Sequence, residues 1–388
     1  MPTLLAILVT AVPILLTAAF AVEVFAGLRG GGISSEAPEP GAAGVVVMPA
    51  HDEAAVIGDT LARLRPALGP GMRVLVVADN SHDATASIAR AGGAEVIERN
   101  EPDRRGKGYA LAFARDHLIK APPPCVVVLD ADCETDGRSL ARLADLAMRR
   151  GRPVQAVYLL RPDAHAPPML QVSNFAFFVR NLIRQRGLAR IAGHVHLAGT
   201  GMAFPWPLFA AAPLATADIV EDLGLGLDMT LAGTPPLFAA DSTVWSAASS
   251  SAGTLKQRTR WEGGFLSTSR KRALPMIAHA IRKGDARLAW SGLSLAIPPL
   301  ALLAMLDAVA LVVALLLAAA GASLNPAALL GMVGLLAATG VAAAWATSGR
   351  AFLSGRAAAR LPLYLLWKLP LYAGLLKRGE RTWLRPGR

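Results

Sequence analysis

The stretch "VVVLDADCETD", residues 126–136, decides the fold. It opens with a short continuous apolar run, as in a strand buried on both faces, and turns polar at Asp130. Three similar runs precede it: "VVVM" (45–48), "VLVVAD" (74–79) and "AEVIER" (94–99). Between them, helical spacing of apolar residues is expected over Glu53–Leu68, Thr85–Ala91 and Gly108–Ile119. Strands alternating with helices predict an α/β domain whose parallel sheet is covered on both faces. Such sheets bind ligands beyond the carboxyl ends of their strands, so the polar residues after each strand become candidates.

Those strand ends read "PAHDE" (49–53), "ADNSHDAT" (78–85), "NEPDRRGKGYAL" (100–111) and "DADCETD" (130–136). Any one of them alone would be an ordinary polar loop. Four on successive strands converge on one sheet edge. Asp130 and Asp132, one residue apart, can both reach one hard cation. Mg²⁺ and Mn²⁺ prefer carboxylate oxygen and share it with substrate phosphates. Arg104, Arg105 and Lys107 come one strand earlier, and the glycines beside Lys107 allow close backbone approach. There is no GxxxxGK[ST], so this is not a P-loop. A metal-bound diphosphate beside a cation fits both clusters. Asp79 is either a hydrogen-bond acceptor for a nucleobase or a turn aspartate. Downstream, "GTGMAF" (199–204) is a tight glycine turn. "VEDLGLGLDMTLAG" (220–233) starts a helical pattern with Glu221 and Asp222, either structural N-terminal acids or a general base.

The flanks differ in character. The 388 residues are 53% hydrophobic and only 17% charged, which leans toward a membrane protein. A net charge of +11 calls for an anionic partner: lipid headgroups, nucleic acid or phosphorylated substrates. Residues 4–28 are apolar except Glu23 and span roughly 37 Å at about 1.5 Å per residue, enough for a retained transmembrane helix. Runs over Leu293–Ala320 and Pro326–Thr347, parted by "GASLN", predict a helical hairpin. Arg270, Lys271, Arg272, Arg282, Lys283 and Arg287 precede it, and Arg350, Arg356 and Arg360 follow. The positive-inside rule then places the bulk of the protein in the cytosol and the N-terminus outside. "LPLYLLWKLPLYAGLL" (361–376) is expected to be interfacial or re-entrant. Segment 168–192 is an amphipathic helix on the membrane surface or a core helix with a basic face. Cys125 and Cys133 imply reduced buried thiols. His194 and His196 lack an evident third metal ligand. "KQRTRWEGG" (256–264) is either a basic membrane-surface patch or an anion site.

Taken in order, "PAHDE", "ADNSHD", "RGKGYAL", "DAD", "GTG", "ED" and "QRTRW" resemble the membrane-embedded glycosyltransferases of family 2. That group includes cellulose, hyaluronan and poly-N-acetylglucosamine synthases and the ceramide glucosyltransferases. The resemblance runs from about Val45 to Gly264. It implies a GT-A fold, a nucleotide-sugar donor (usually a UDP-sugar) and inversion at the anomeric carbon. By the same resemblance Asp79 reads the base, and Pro49, Ala50 and Glu53 surround the nucleotide. Lys107 lies near the diphosphate, and Asp130 and Asp132 hold Mg²⁺ or Mn²⁺. Asp222 is the base, with Glu221 beside it. Gln257, Arg260 and Trp261 form the QxxRW box around diphosphate and acceptor, and Gly199, Thr200 and Gly201 form an acceptor-side turn. Asp52 stands where Asn is usual, and Ala78 replaces the first of a frequent aspartate pair.

The expected organisation is a transmembrane helix (1–28), a linker (29–43), a cytosolic GT-A domain (44–270), a basic interfacial segment (271–290), a transmembrane hairpin (291–348) and a basic tail (349–388). The expected function is sugar transfer to a lipid or polysaccharide acceptor at the inner membrane of a bacterium, with membrane lipids as partners and no nucleic acid. With only three spans, pairing with itself or with a synthase subunit is expected if a polymer is exported. A non-catalytic membrane scaffold keeping the same fold is the rival; intact carboxylates and an intact QxxRW argue against it.

Overall fold

The computed structural model describes residues 1–30, 43–218, 220–246 and 251–377, with the side chains of 251–257, 259, 373 and 375–377 left aside. The linker from 31 to 42 and the basic tail from 378 lie outside the described residues. The chain forms two compact units. One is helical, from Met1–Gly30, Pro162–Gly193 and Thr254–Arg381; the other carries the sheet, from Gly31–Arg161 and His194–Gly253.

In chain order, helix α1 (Pro2–Leu28) is followed by β1 (Gly44–Ala50), α2 (Ile57–Leu64), β2 (Met72–Asp79), α3 (Thr85–Ala91), β3 (Glu95–Arg99), α4 (Lys107–Leu118) and β4 (Cys125–Val128). Then come β5 (Cys133–Thr135), α5 (Gly137–Arg150) and β6 (Val154–Leu160), and the chain enters the helical unit through α6 (Pro168–Phe178) and α7 (Gln185–Ala192). It returns as β7 (Met202–Pro205), α8 (Trp206–Ala211), α9 (Glu221–Leu231) and β8 (Leu237–Ser246). The sheet has eight strands in the order β3-β2-β1-β4-β7-β6-β8-β5.

The expected parallel pairing holds along β3, β2, β1 and β4 and recurs between β6 and β8. β7 runs antiparallel to both β4 and β6, and β5 is antiparallel to β8, so the sheet is mixed. Antiparallel β7 extends the sheet without another crossover helix. Its glycine turn therefore meets the carboxyl end of β4: Gly201 N–H donates to Val128 O at 2.9 Å. On one sheet face Val45, Val47, Leu75, Val77, Val126 and Val128 pack with Leu111, Ala114 and Leu118 of α4. Helix α5 packs against the sheet with Leu140, Leu143, Ala144 and Ala147, the i, i+3, i+4, i+7 spacing of one buried stripe. Asp136 caps its start by accepting from Ser139 N–H, and Gly151 at φ +60° ends it.

The helix expected from Glu53 begins only at Ile57. Backbone N–H groups just before it are bound by the neighbouring strand-end loop: Glu53 N–H donates to Thr85 Oγ1 at 2.8 Å and Ala54 N–H to Asp83 Oδ2 at 3.1 Å. Asp52 has φ +51° and accepts from His82 N–H at 2.7 Å. A left-handed residue with a short side-chain acceptor is met by Asn or Asp, which gives a physical reason for Asp at this position.

In the helical unit, a π-helical turn (Val179–Arg184) joins α6 to α7, and α10 (Ser251–Lys283), α11 (Ala286–Ala296), α12 (Leu300–Ala319), α13 (Asn325–Ala344), α14 (Gly355–Ala358) and α15 (Leu361–Lys377) complete it. The apolar run expected as one span from Leu293 is two helices, α11 and α12, parted at Pro298-Pro299. Among the described residues, three helical stretches are long and apolar enough to cross a membrane, Pro2–Leu28, Leu300–Ala319 and Asn325–Gly349, which supports membrane association. α15, with 17 residues, is shorter than these. α1 and α12 run antiparallel: Ser323 N–H donates to Thr3 Oγ1 at 3.0 Å near one end, and Thr17 Oγ1 donates to Asp307 Oδ2 at 2.7 Å further along.

Segment 168–192 is a core element of this unit rather than a helix lying free on a surface. A Cβ on Gly187 would stand 2.0 Å from Glu23 O, and one on Gly27 would stand 1.9 Å from Ile183 O, so both glycines permit a backbone-close crossing with α1. Arg184 Nε donates to the fully buried Glu23 Oε2 at 2.8 Å. That pairing explains how an acid is tolerated in an apolar helix.

Candidate active site

In the sheet unit the parallel strands end along one edge, as their pairing requires. There Asp130 follows β4, Ala50 ends β1 and Asp79 ends β2. Lys107 is the first residue of α4. Its ammonium reaches Asp130 Oδ1 and donates to Gly199 O at 2.6 Å. Gly106 at φ +140° turns the chain into this helix, and Gly108 cannot carry a side chain, because a Cβ there would lie 2.4 Å from Leu214 O. The two glycines around Lys107 thus set where the ammonium sits.

The "GTG" turn forms the other wall. Gly199 and Gly201 have φ +86° and +63°, values that favour glycine. Thr200 is fully buried, and its Oγ1 accepts from Asp130 N–H at 3.1 Å. Gln155, a buried polar residue in the apolar strand β6, holds the turn from behind. It donates to Thr200 O at 2.8 Å and accepts from Ala198 N–H at 2.8 Å. A Cβ on Gly199 would stand 3.3 Å from Asp222 Oδ2 and 3.9 Å from Lys107 Nζ, so the turn, the acid and the cation share one small space.

Glu221 and Asp222 open α9. Burial, reinforced by repulsion from Asp222, pushes the Glu221 carboxyl up to about 8, so it carries a proton at neutral pH. Burial alone would pull Lys107 down, but the acids around it, Asp130 foremost, outweigh this and hold the ammonium charged. Asp130, Asp132 and Cys133 bring ligand atoms within 4.8 Å of one another. Burial, with Asp132 and Asp130 nearby, holds the Cys133 thiol well above its usual range, so it stays protonated. The donors left are two carboxylates, a set that suits Mg²⁺ or Mn²⁺ rather than a thiophilic ion. His194 and His196 belong to no metal-sized cluster among the described residues.

Asp79 is buried and bound by Arg99 Nη1 at 2.6 Å and Asn80 Nδ2 at 3.0 Å, both on Oδ1. Burial raises its carboxyl above the usual range, and Arg99 counteracts this. Arg99 also stacks over Tyr109 at 5.4 Å. Arg99 and Gln155 were not singled out in the sequence; the available signal was a polar side chain inside or ending an apolar strand. The loops that carry Glu53 and Asp79 are tied together by Glu53 N–H on Thr85 Oγ1 and by the His51 ring on Asp79 O, and Pro49 and Ala50 lie in β1 beside Val77 and Ala78.

Arg260 and Trp261 lie on α10 in the helical unit, and the side chain of Gln257 lies outside the described residues. Arg258, which the sequence leaves available to headgroups, is instead buried. Its guanidinium reaches Ser173 and donates to Asn174 Oδ1 at 2.7 Å. Glu262, next to Trp261, accepts from Lys368 Nζ at 2.7 Å and Tyr372 O–H at 2.8 Å, tying α10 to α15.

Acids, a lysine and a glycine turn gather at the strand ends, where α/β sheets bind their ligands. The chain belongs to glycosyltransferase-like family 2, whose profile matches residues 40–264. It is 35% identical over 125 residues to an uncharacterized glycosyltransferase of Mycobacterium tuberculosis, covering 30% of this chain and 53% of that protein. It is 36% identical over 104 residues to a low-salt glycan biosynthesis hexosyltransferase of Haloferax volcanii, covering 26% of this chain and 24% of that protein. The chain thus spans about half the length, or less, of these curated relatives. Among solved structures, a mannosyltransferase of Pyrobaculum calidifontis in complex with GDP-Man and Mn²⁺ aligns over 95% of this chain and 100% of its own, at 21% identity and a TM-score of 0.57.

Proposed function

We propose that the chain is an inverting glycosyltransferase that moves a sugar from a nucleotide-sugar, a UDP-sugar, to a lipid or glycan acceptor held at a membrane. The observation that carries this reading is the cluster at Gly199: Lys107 bridges Asp130 and the glycine carbonyl, and Asp222 Oδ2 lies 3.3 Å from where a Cβ on that glycine would stand. Asp222 takes the proton of the acceptor hydroxyl as the sugar is attacked. Protonated Glu221 keeps a second negative charge away from that base. Lys107 stands ready to balance charge developing on the leaving diphosphate. Asp130 and Asp132 would hold Mg²⁺ or Mn²⁺, which when bound offsets diphosphate charge. Asp79, oriented by Arg99, meets the base, with Pro49, Ala50 and Glu53 around the nucleotide. Gly199, Thr200 and Gly201 face the acceptor, and the family resemblance assigns the QxxRW residues Gln257, Arg260 and Trp261 to diphosphate and acceptor. The family membership and the three candidate spans support a multi-pass protein of a bacterial inner membrane with its GT-A domain in the cytosol, alone or with a second copy or a synthase partner.

The test is transfer from labelled UDP-sugars by membranes carrying wild type or Asp222→Asn, with Mn²⁺ present. A loss of at least ~10²-fold is expected, the usual lower scale for a missing acid/base group. Equal transfer would remove Asp222 as the base. A wild type that neither transfers nor binds UDP with Mg²⁺ or Mn²⁺ would favour the scaffold.

A further inference from the structure

The Lys107 ammonium has two oxygen partners, Asp130 Oδ1 and, at 2.6 Å, Gly199 O. The second is a fixed seat. Gly199 stands at φ +86°, and Gln155 anchors its turn by donating to Thr200 O and accepting from Ala198 N–H, each at 2.8 Å. Asp130 is anchored too, since its N–H donates to Thr200 Oγ1 at 3.1 Å. The turn before β7 thus holds both partners, and it holds the cation against the carboxylate.

Asp130 also supplies one of the two carboxylates that suit Mg²⁺ or Mn²⁺. An ammonium and a divalent ion are rivals there, because each favours the anion and repels the other. Neither side chain is sealed in: Lys107 is 20% exposed and Asp130 33%, so one cation can replace the other. A second anion would end the rivalry. A diphosphate gives the ammonium other oxygens to meet, as a point charge, and shares the ion with the carboxylates.

We propose that Lys107 competes with the divalent ion for Asp130, so that tight ion binding waits for the diphosphate of the donor. Ion alone then binds weakly, and ion with nucleotide binds tightly. The competition rests on the contacts of Lys107. Its release by a diphosphate rests on the proposed nucleotide-sugar reading.

The full-length protein in detergent micelles is titrated with Mn²⁺, with and without UDP, and free Mn²⁺ is read by electron paramagnetic resonance. Without UDP, Lys107→Met is expected to bind Mn²⁺ at least ~10-fold more tightly than wild type, the factor when a rival fills the site about nine-tenths of the time. Lys107→Gln is measured beside it, so that the outcome does not hang on one variant folding, and Lys107→Arg should stay near wild type. Loss of a cation near acids could strengthen ion binding through the field alone. Lys107→Met is therefore repeated on an Asp130→Asn background, where the gain should fall below ~3-fold because the contested carboxylate is gone. UDP should tighten Mn²⁺ binding at least ~10-fold in wild type and by a smaller factor in Lys107→Met. Equal Mn²⁺ affinity of wild type and both neutral variants without UDP, an undiminished gain on the Asp130→Asn background, or an equal effect of UDP on wild type and Lys107→Met overturns the proposal. A wild type that binds no UDP with Mn²⁺ would instead count against the nucleotide-sugar reading, and a tighter Mn²⁺ site in Lys107→Met would still uphold the competition.

Discussion

Replacing Lys107 by Met keeps the length of the side chain and removes its charge. The ammonium and Asp222 Oδ2 lie 3.9 Å and 3.3 Å from a common point at Gly199, hence within about 7 Å of each other. At an effective dielectric near 20 that separation is worth about 2 kcal/mol. Since 1.36 kcal/mol is one pH unit, the acid pair should titrate between about one and two units higher without Lys107. The sign follows directly: a nearby cation favours the ionised acid, and losing it favours the protonated one, so the base is idle at a pH where wild type works. The assay is the pH–rate profile at saturating donor and constant Mn²⁺. The rising limb should move alkaline by one to two units, and kcat at a fixed pH on that limb should fall about 10- to 100-fold, partly restored by raising the pH. The limb reports apparent values of a coupled pair rather than of one residue. Lys107→Arg, which keeps the charge, should hold the limb near its wild-type place. An unmoved limb in Lys107→Met, with only a lower plateau, would refute electrostatic coupling between this lysine and the base.

Three other outcomes are expected. Glu221→Gln imitates the protonated acid, so it should be active at pH 7. It should also lack the change in rate that wild type undergoes through about pH 8, as Glu221 ionises beside Asp222; a matching profile in both proteins would argue against this assignment. Gly108→Ala would ordinarily stabilise a helix by about 1 kcal/mol. Here the new Cβ meets Leu214 O at 2.4 Å and Thr216 O at 2.8 Å, so thermal unfolding should show a loss of about 1–3 kcal/mol, with weaker donor binding as Lys107 shifts. Lys368→Met strands Glu262, and because that carboxylate keeps the Tyr372 hydroxyl and slight exposure, a cost of about 3 kcal/mol is expected, at the low end for a broken buried pair. Adding Glu262→Gln should recover most of it; additive losses in the double variant would contradict the pairing.

The parts of the fold written in local pattern were legible. Thr85–Ala91 is a helix within the bounds its spacing predicts, and the four parallel strands lie where apolar runs ended in polar residues. β7, of four residues, joins the sheet by pairing with β4, its partners 74 to 80 positions earlier, and no local period encodes that choice. The QxxRW box shows a similar limit. Arg258 and Arg260 look equivalent in sequence, yet two residues turn a helix by about 200° and put their side chains on opposite faces. One face meets Ser173 and Asn174, which the sequence places more than eighty residues away, so Arg258 is spent on packing.

Lysine usage carried information that net charge obscured. Of the 39 basic residues only seven are lysines, at 107, 120, 256, 271, 283, 368 and 377. Against that background of arginine, each lysine can be read by its surroundings. Lys120, Lys271 and Lys283 are exposed, where either cation serves. Lys107 and Lys368 are not: one bridges Asp130 and Gly199 O, the other is buried against Glu262. Both make contacts that suit a compact ammonium with donors in several directions. In an arginine-rich chain, a lysine inside a packed region therefore points to a point charge held among oxygen atoms, which is the chemistry that the Gly199 cluster requires.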